Sequence, residues 1–264
     1  NSGLGCHISN VFLACFGYAD DLLLLSASRS GLQELVKICE SFANKKSLKF
    51  STNVDPEKSK TKCLIFSRKK IDFQKVEPVL LNGNPLPWVS HVKHLGNTLQ
   101  CNNTMIMDLA QKRGALIGKL NSLRQEFHSF EPSVFVKILN IYAKSFYGSS
   151  LWDLFSKECE RMFTAWNVAI RICFDVARTT HRYFIERLSD NLHPKVMMCS
   201  RYAGFQQSLL KCNKFPVRFL ARLVQHDQRT VSGRNLRQIT LECGQGLPVK
   251  QFPSTTLVKK RMKY

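Results

Sequence analysis

Over the first hundred residues, apolar side chains come in short runs. Over the rest they step by threes and fours. Val11 to Gly17 and Leu22 to Ser26 read as two strands, and the few residues between them allow only a tight hairpin. Ser30-Gly31-Leu32-Gln33 has the form of a capping box. Leu32, Leu35, Val36, Cys39 and Phe42 then follow at helical spacing, and that helix is expected to end near Lys45-Lys46. Lys62 to Ser67 reads as a strand. Val79–Leu81 and Leu86–Val89 around Asn82-Gly83 read as a hairpin with a type I′ turn, and Val92 to Leu99 as one further strand.

The period then changes. Ile106, Leu109, Arg113, Leu116, Leu120, Leu123 and Phe127 fall on one face of a long helix, apolar except at Arg113. Phe135, Leu139, Tyr142 and Phe146 repeat the spacing behind Pro132, a residue suited to a first turn. Phe155, Cys159, Met162, Trp166, Ile170 and Cys173 repeat it again. Such stripes are packing faces. Beyond Thr179 shorter helices are expected, punctuated at His193-Pro194, Phe215-Pro216 and Pro248, with a basic tail from Lys259 to Tyr264. The layout predicts an α+β chain, mixed to about residue 100 and helical after it.

Charge changes the picture most. The 264 residues carry 39 Lys and Arg against 19 Asp and Glu, a net +20. Residues 1–154 hold 19 basic and 12 acidic side chains, and residues 155–264 hold 20 and 7. A field of that sign suits a polyanion, and contact with nucleic-acid backbone is expected of the C-terminal part, for example through Arg218 and Arg222, one helical turn apart. Ten cysteines occur without a Cys-x-x-Cys pair, several of them inside apolar periodic segments such as Cys39, Cys63, Cys159 and Cys173. They read as buried thiols of a reducing compartment, cytoplasmic or nuclear, and not as a disulfide frame or zinc site. The apolar stretch from Val11 to Leu25 is broken by Asp20 and Asp21 and is too short to span a bilayer, so no membrane role is expected.

Asp20 and Asp21 are the oddity. Two carboxylates are costly inside apolar runs unless they sit at a hairpin tip, with the arms (Phe12, Leu13, Leu22 and Leu24 among them) in the core. Because side chains alternate along a strand, the two should not point the same way. Carboxylate oxygens suit Mg2+ or Mn2+, and paired ions of that kind clamp the oxygens of a phosphoryl transfer.

Tyr18-Ala19-Asp20-Asp21 followed by Leu22-Leu23-Leu24-Leu25 resembles the catalytic motif of reverse transcriptases of non-LTR (LINE-type, jockey-like) retrotransposons. Downstream features agree in order: a helix, then Lys58-Ser59-Lys60-Thr61-Lys62 leading into Cys63-Leu64-Ile65-Phe66, then Val92-Lys93-His94-Leu95-Gly96 in the place of the primer grip, then a helical thumb. The resemblance implies the C-terminal part of a palm with its catalytic and primer-grip hairpins over residues 1–100, a thumb over 101–176 and a basic helical region over 177–264. It implies RNA-directed DNA synthesis in the parent protein, with an RNA template and a DNA primer as partners. Asp20 would be a ligand of the catalytic Mg2+ or Mn2+, Asp21 its weaker partner, and Tyr18 a neighbour of primer end and nucleotide. Lys60, with Lys58 and Lys62 as rivals, would neutralise the leaving pyrophosphate. His94, Leu95 and Gly96 would lie along the primer backbone.

A complete member of that family also carries fingers and an earlier palm strand with a further metal-binding aspartate. Only 17 residues precede Tyr18 here, none acidic, and the chain opens on Asn1. The expectation is therefore a fragment whose fingers and early palm belong to the same polyprotein, and which does not polymerise alone. The competing expectations are a non-catalytic nucleic-acid-binding remnant and a helical interaction protein.

Overall fold

The computed structural model of the chain describes residues 3–53, 55, 57–127, 130–143, 146–189, 193–244 and 253–262. It is an α+β protein that divides into two compact units: residues 1–94 with 98–104, and residues 95–97 with 105–264. The expected break at Pro248, and Lys263 and Tyr264 of the expected tail, lie outside the described residues.

The first unit is built from short strands. In order they are β1 (Cys6–Ile8), β2 (Val11–Leu13), β3 (Cys15–Tyr18), β4 (Asp21–Leu24), β5 (Cys63–Leu64), β6 (Val79–Leu81), β7 (Asn84–Leu86), β8 (Trp88–Val89), β9 (His91–His94) and β10 (Asn97–Gln100), with helix α1 (Arg29–Lys45) between β4 and β5. Among the described residues the strands pair only two by two, as β1–β2, β3–β4, β6–β7 and β9–β10 and as the parallel pair β5–β8. The strand expected over 11–17 is broken at Ala14 into β2 and β3. The strand expected over 62–67 shrinks to two residues.

The strand expected over 92–99 folds back at Leu95-Gly96, where both residues take positive φ, 45° and 74°. Asn82 and Gly83 do the same at 49° and 76°, as the Asn-Gly signal requires of a two-residue hairpin turn. Helix α1 begins earlier than its expected capping box. Ser28 is the cap, its Oγ accepting from the Gly31 amide at 3.1 Å. This frees Gln33 for a different task. Its side-chain amide donates to the Leu80 carbonyl (2.9 Å) and accepts from the Leu80 amide (2.7 Å), so it pairs with β6 as a neighbouring strand would. Arg29 donates to the Pro78 carbonyl at 2.6 Å, and Glu40 accepts from the Asn82 amide. One helix face thus closes the edge of β6. Beneath it lies a small core of Val36, Cys63, Val79, Leu81 and Leu86.

The second unit holds α2 (Ile106–Glu126), α3 (Pro132–Tyr142), α4 (Lys157–Cys173), α5 (Arg182–Ser189), α6 (Pro194–Leu210), α7 (Phe215–His226), α8 (Val231–Glu242) and α9 (Thr255–Arg261). The stripes behave as packing faces. Leu109, Leu116, Leu120, Leu123, Cys159, Met162, Trp166, Ile170 and Cys173 are buried in one cluster that continues through Ile185, Met198, Ile239 and Val258, so residues 101–176 and 177–264 share a core. Two expected stripe members are instead exposed at helix ends, Ile106 as the first residue of α2 and Tyr142 as the last of α3. Arg113 is half-buried and lines a groove of about 390 Å³ beside Ile117, Leu120 and Arg161.

Several polar groups within this core are paired, while Gln206 Oε1 and Thr240 Oγ1 are buried without a hydrogen-bond partner among the described residues. Trp152 Nε1 donates to Asp108 at 2.8 Å. Fully buried Asn235 accepts from the Leu154 amide (3.0 Å) and donates to the Trp152 carbonyl (2.8 Å). Lys259, Lys260 and Arg261, expected in a tail, form the last turn of α9, where cations complement the helix dipole.

All ten thiols are free. Burial pushes Cys63 up to about 11, and Cys159 and Cys173 up to about 12, which keeps them protonated. Cys39, expected inside, is only half-buried and Cys15 is exposed. No helix among the described residues is long and apolar enough to cross a membrane.

Candidate active-site hairpin

The acidic pair lies at the tip of the β3–β4 hairpin. Tyr18 pairs with Asp21, Gly17 with Leu22, Phe16 with Leu23 and Cys15 with Leu24. That register leaves Ala19 and Asp20 as a two-residue turn. The Leu25 amide extends the ladder to the Ala14 carbonyl at 2.7 Å. Ala19 carries the backbone reversal at φ 52°, in the left-handed region that costs an L-residue about 1–2 kcal/mol. Asp20 sits in the turn and Asp21 in the strand, so the two carboxylates leave the backbone at different places.

The arms are not core as expected. Leu13 is buried, and Phe12 and Leu24 are half-buried, but Leu22 is exposed, with Phe16 and Tyr18 exposed beside it. The reason is topological. β3 and β4 pair only with each other among the described residues, so an apolar run has no sheet neighbour to bury it.

Both carboxylates are exposed, and neither has a hydrogen-bond or ion-pair partner among the described residues. Nor do those residues contain any cluster of three or more His, Cys, Asp or Glu side chains able to hold a metal ion. Two neighbouring carboxylates at an exposed tip supply too few oxygens for an octahedral ion, so the residues present do not fit the catalytic Mg2+ or Mn2+ that the motif implies.

Lys60 stands in the loop before β5, exposed and without a partner among the described residues. Its rivals differ from it. Lys58 lies 3.6 Å from Asp55, and Lys62 is half-buried. The loop itself is pinned by buried Ser59, whose hydroxyl donates to the Thr61 carbonyl (2.6 Å), and by Thr61, whose hydroxyl donates to the Ser51 carbonyl (2.8 Å). Among the described residues no hydrogen bond or ion pair joins Lys60 to the hairpin.

His94 ends β9 half-buried, and Leu95 and Gly96 form the turn after it. Residues 95–97 cluster with the helical unit, and the contacts say why. The Leu95 carbonyl accepts from the Tyr147 hydroxyl (3.1 Å) and from Asn97 Nδ2 (3.2 Å). The Gly96 carbonyl accepts from Lys112 Nζ (2.8 Å), and the same ammonium lies 5.2 Å from the centre of the Tyr147 ring. A Cβ at residue 96 would come within 2.9 Å of that ring, so glycine is required there by space as well as by φ. Lys112 and Tyr147 are the residues that sequence reasoning missed. No local pattern marks them, because they act on backbone 16 and 52 residues away.

Arg218 and Arg222 separate. Arg218 is half-buried and donates to the Cys212 carbonyl at 3.2 Å. Arg222 is exposed, with no partner among the described residues. Only the second of the expected pair has its guanidinium free for a phosphate.

The chain matches no family model and no curated protein sequence.

Proposed function

We propose that the chain is the palm-and-thumb portion of a reverse transcriptase of the non-LTR retrotransposon type. Its parent reaction would be template-directed addition of deoxynucleotides to a primer 3′-hydroxyl. The observation that carries the reading is the Tyr18–Asp21 turn: a two-residue hairpin, strained at Ala19, that holds two unpartnered carboxylates and an exposed tyrosine at its tip. Backbone strain that the surroundings must maintain, next to unpaired charge, is characteristic of functional sites. The ordered sequence motifs add the family.

The described residues are short of metal ligands. By itself this chain binds Mg2+ weakly and does not extend primers. It contributes Asp20, Asp21 and Tyr18 to a site whose further carboxylate lies outside residues 1–19. The same shortage favours, as second reading, a nucleic-acid-binding remnant without catalysis.

The test is primer extension on an RNA template with a DNA primer, by this chain and by a longer protein that includes the coding sequence upstream of Asn1. The expected result is no extension by the chain, extension by the longer protein, and loss of it in Asp20→Asn. Extension by the chain alone, or extension by the longer protein that is indifferent to Asp20→Asn, overturns the reading. No extension by the longer protein favours the remnant.

A further inference from the structure

Helix α7 presents an outward face that packing does not account for. Its inner face is occupied: Ala221 is buried, Val217, Leu220 and Val224 are half-buried, and the helix packs on α6 and α8. Yet Phe215 is 60% exposed, Leu223 43% exposed and Phe219 half-buried. The two phenyl rings stack on each other, 5.8 Å between centroids and 28° between planes. A helix already buried on one side gains nothing from water-exposed aromatic rings on the other.

The charge along the segment that leads into and through α7 has one sign. Residues 191–226 contain no Asp or Glu and carry Lys195, Arg201, Lys211, Lys214, Arg218 and Arg222. Three of these cations are engaged within the fold, Lys195 with Glu242 at 2.8 Å, Arg218 with the Cys212 carbonyl, and Arg201. Lys211, Lys214 and Arg222 are exposed and have no partner among the described residues. The next carboxylate along the chain, Asp227, is held by Arg229 in a forked contact (2.9 Å for Nη2).

We infer that the outer face of α7 is a stacking site for unpaired nucleic-acid bases, with Phe215 and Phe219 as the platform and Lys211, Lys214 and Arg222 as phosphate contacts. Single strands are held by this combination, aromatic faces for the bases and cations for the backbone, while a duplex hides its base faces in the helical stack. Lys214 and Arg222 lie about 12 Å apart along the helix axis with the rings between them. An anionic membrane surface is the rival occupant, and the position of Arg222 argues against it. Seven residues on from Phe215, Arg222 falls about 20° short of two full turns, on the same face as the ring. A helix that sinks its apolar face into lipid keeps its cations on the opposite face. Here cation and ring share one face. The inference rests on α7 alone and needs no chemistry at the hairpin, so it can fail while the polymerase reading stands, and the reverse.

The experiment uses the whole chain. Fluorescence anisotropy measures its binding to labelled oligo(dT) and to a duplex of equal length. Flotation with phosphatidylserine-containing vesicles measures membrane binding. Phe215→Ala with Phe219→Ala is expected to weaken oligo(dT) binding by roughly tenfold or more while duplex binding changes by less than about twofold. Circular dichroism checks that the pair of substitutions leaves the fold intact. Phe215→Trp keeps a stacking surface, so it is expected to retain affinity and to show quenched indole fluorescence when oligo(dT) is added. Lys214→Glu with Arg222→Glu is expected to weaken both ligands and to flatten their salt dependence. Unchanged oligo(dT) affinity in the folded double-alanine protein overturns the inference, as does an unquenched tryptophan at 215. Vesicle binding without oligo(dT) binding overturns it in favour of a membrane.

Discussion

The strand unit and the helical unit are made from similarly apolar sequence and end up stabilised very differently. Over residues 105–262 each amphipathic stripe finds another, and a single core runs from Leu109 to Met262, with Asn235 pairing buried backbone groups inside it. Over residues 3–94 the strands pair two by two, the central buried cluster has five members, and the β3–β4 hairpin leaves Phe16, Tyr18 and Leu22 in water. A helix satisfies its own backbone and needs only one apolar neighbour. A strand needs a partner on each edge and a layer on each face. The difference teaches where to expect cooperativity: stability should be concentrated in the helices, and the hairpin that carries the acidic pair should be the more easily opened.

The largest expected effect is in the helical core. Trp166 is 2% exposed and meets Phe146 edge to face at 5.7 Å. Trp166→Ala should destabilise that unit by about 3–5 kcal/mol, measured by urea unfolding followed through helical circular dichroism. A loss below about 1 kcal/mol would show that the cluster is not packed as one body, and the contrast between the units would fall.

The next effect is one of pH. His193 is buried at the start of α6. Burial first, then the charges of Arg182 and Lys195, lower its pKa to about 4 from an ordinary 6.5. The folded protein therefore refuses a proton that the unfolded chain accepts. Above pH 6.5 both states are neutral and nothing is lost. As pH falls from 6.5 towards 4, stability drops by about 1.4 kcal/mol per unit, to a total of about 3 kcal/mol. His193 Nδ1 also accepts from the Lys195 amide at 3.2 Å, so His193→Asn, which keeps a capping acceptor, should flatten this part of the pH profile. An unaltered profile in the variant would remove His193 as its cause.

Asn235→Ala should cost slightly less, about 2–3 kcal/mol, because it strands the Trp152 carbonyl and the Leu154 amide in a buried place. Urea unfolding measures it. Leu22→Ala in the hairpin removes a comparable apolar side chain from a 43% exposed position and should cost under about 1 kcal/mol. If Leu22→Ala matched Asn235→Ala, the hairpin would be far better buried than its exposure says.

What was legible in sequence follows the same division. The helix stripes could be read because a period of 3.6 is a property of one segment, and Leu116, Leu120, Cys159 and Ile170 are buried where the spacing places them. The Asn82-Gly83 turn could be read because its chemistry is local. Leu95-Gly96 was harder, since leucine at φ 45° is no turn signal, and the contacts that hold the turn come from Lys112 and Tyr147. The burial of the hairpin arms was misread because Leu22-Leu23-Leu24-Leu25 looks the same whether or not a neighbouring strand covers it. For the candidate site, the position of Asp20 and Asp21 at a turn was a local matter and legible. Whether Lys60 meets them was not, because that depends on how distant loops close.

The smallest expected effect is the one closest to the proposed chemistry. Ala19 turns the hairpin at φ 52°, a conformation that glycine adopts without the Cβ penalty. On the backbone alone, Ala19→Gly should stabilise the turn, offset in part by glycine's greater freedom in the opened state, for a net gain of about 1 kcal/mol or less. Global unfolding would scarcely register it, since the helical unit dominates that signal. Amide hydrogen exchange over residues 15–24 would, because a local gain of that size slows opening by a few fold. Slower exchange confined to the hairpin would locate the strain in the turn between Tyr18 and Asp21. Faster exchange would mean that the alanine methyl contributes more than its backbone costs. The turn would then hold no stored strain, and the case for a functional tip would rest on Asp20, Asp21 and the sequence motifs alone.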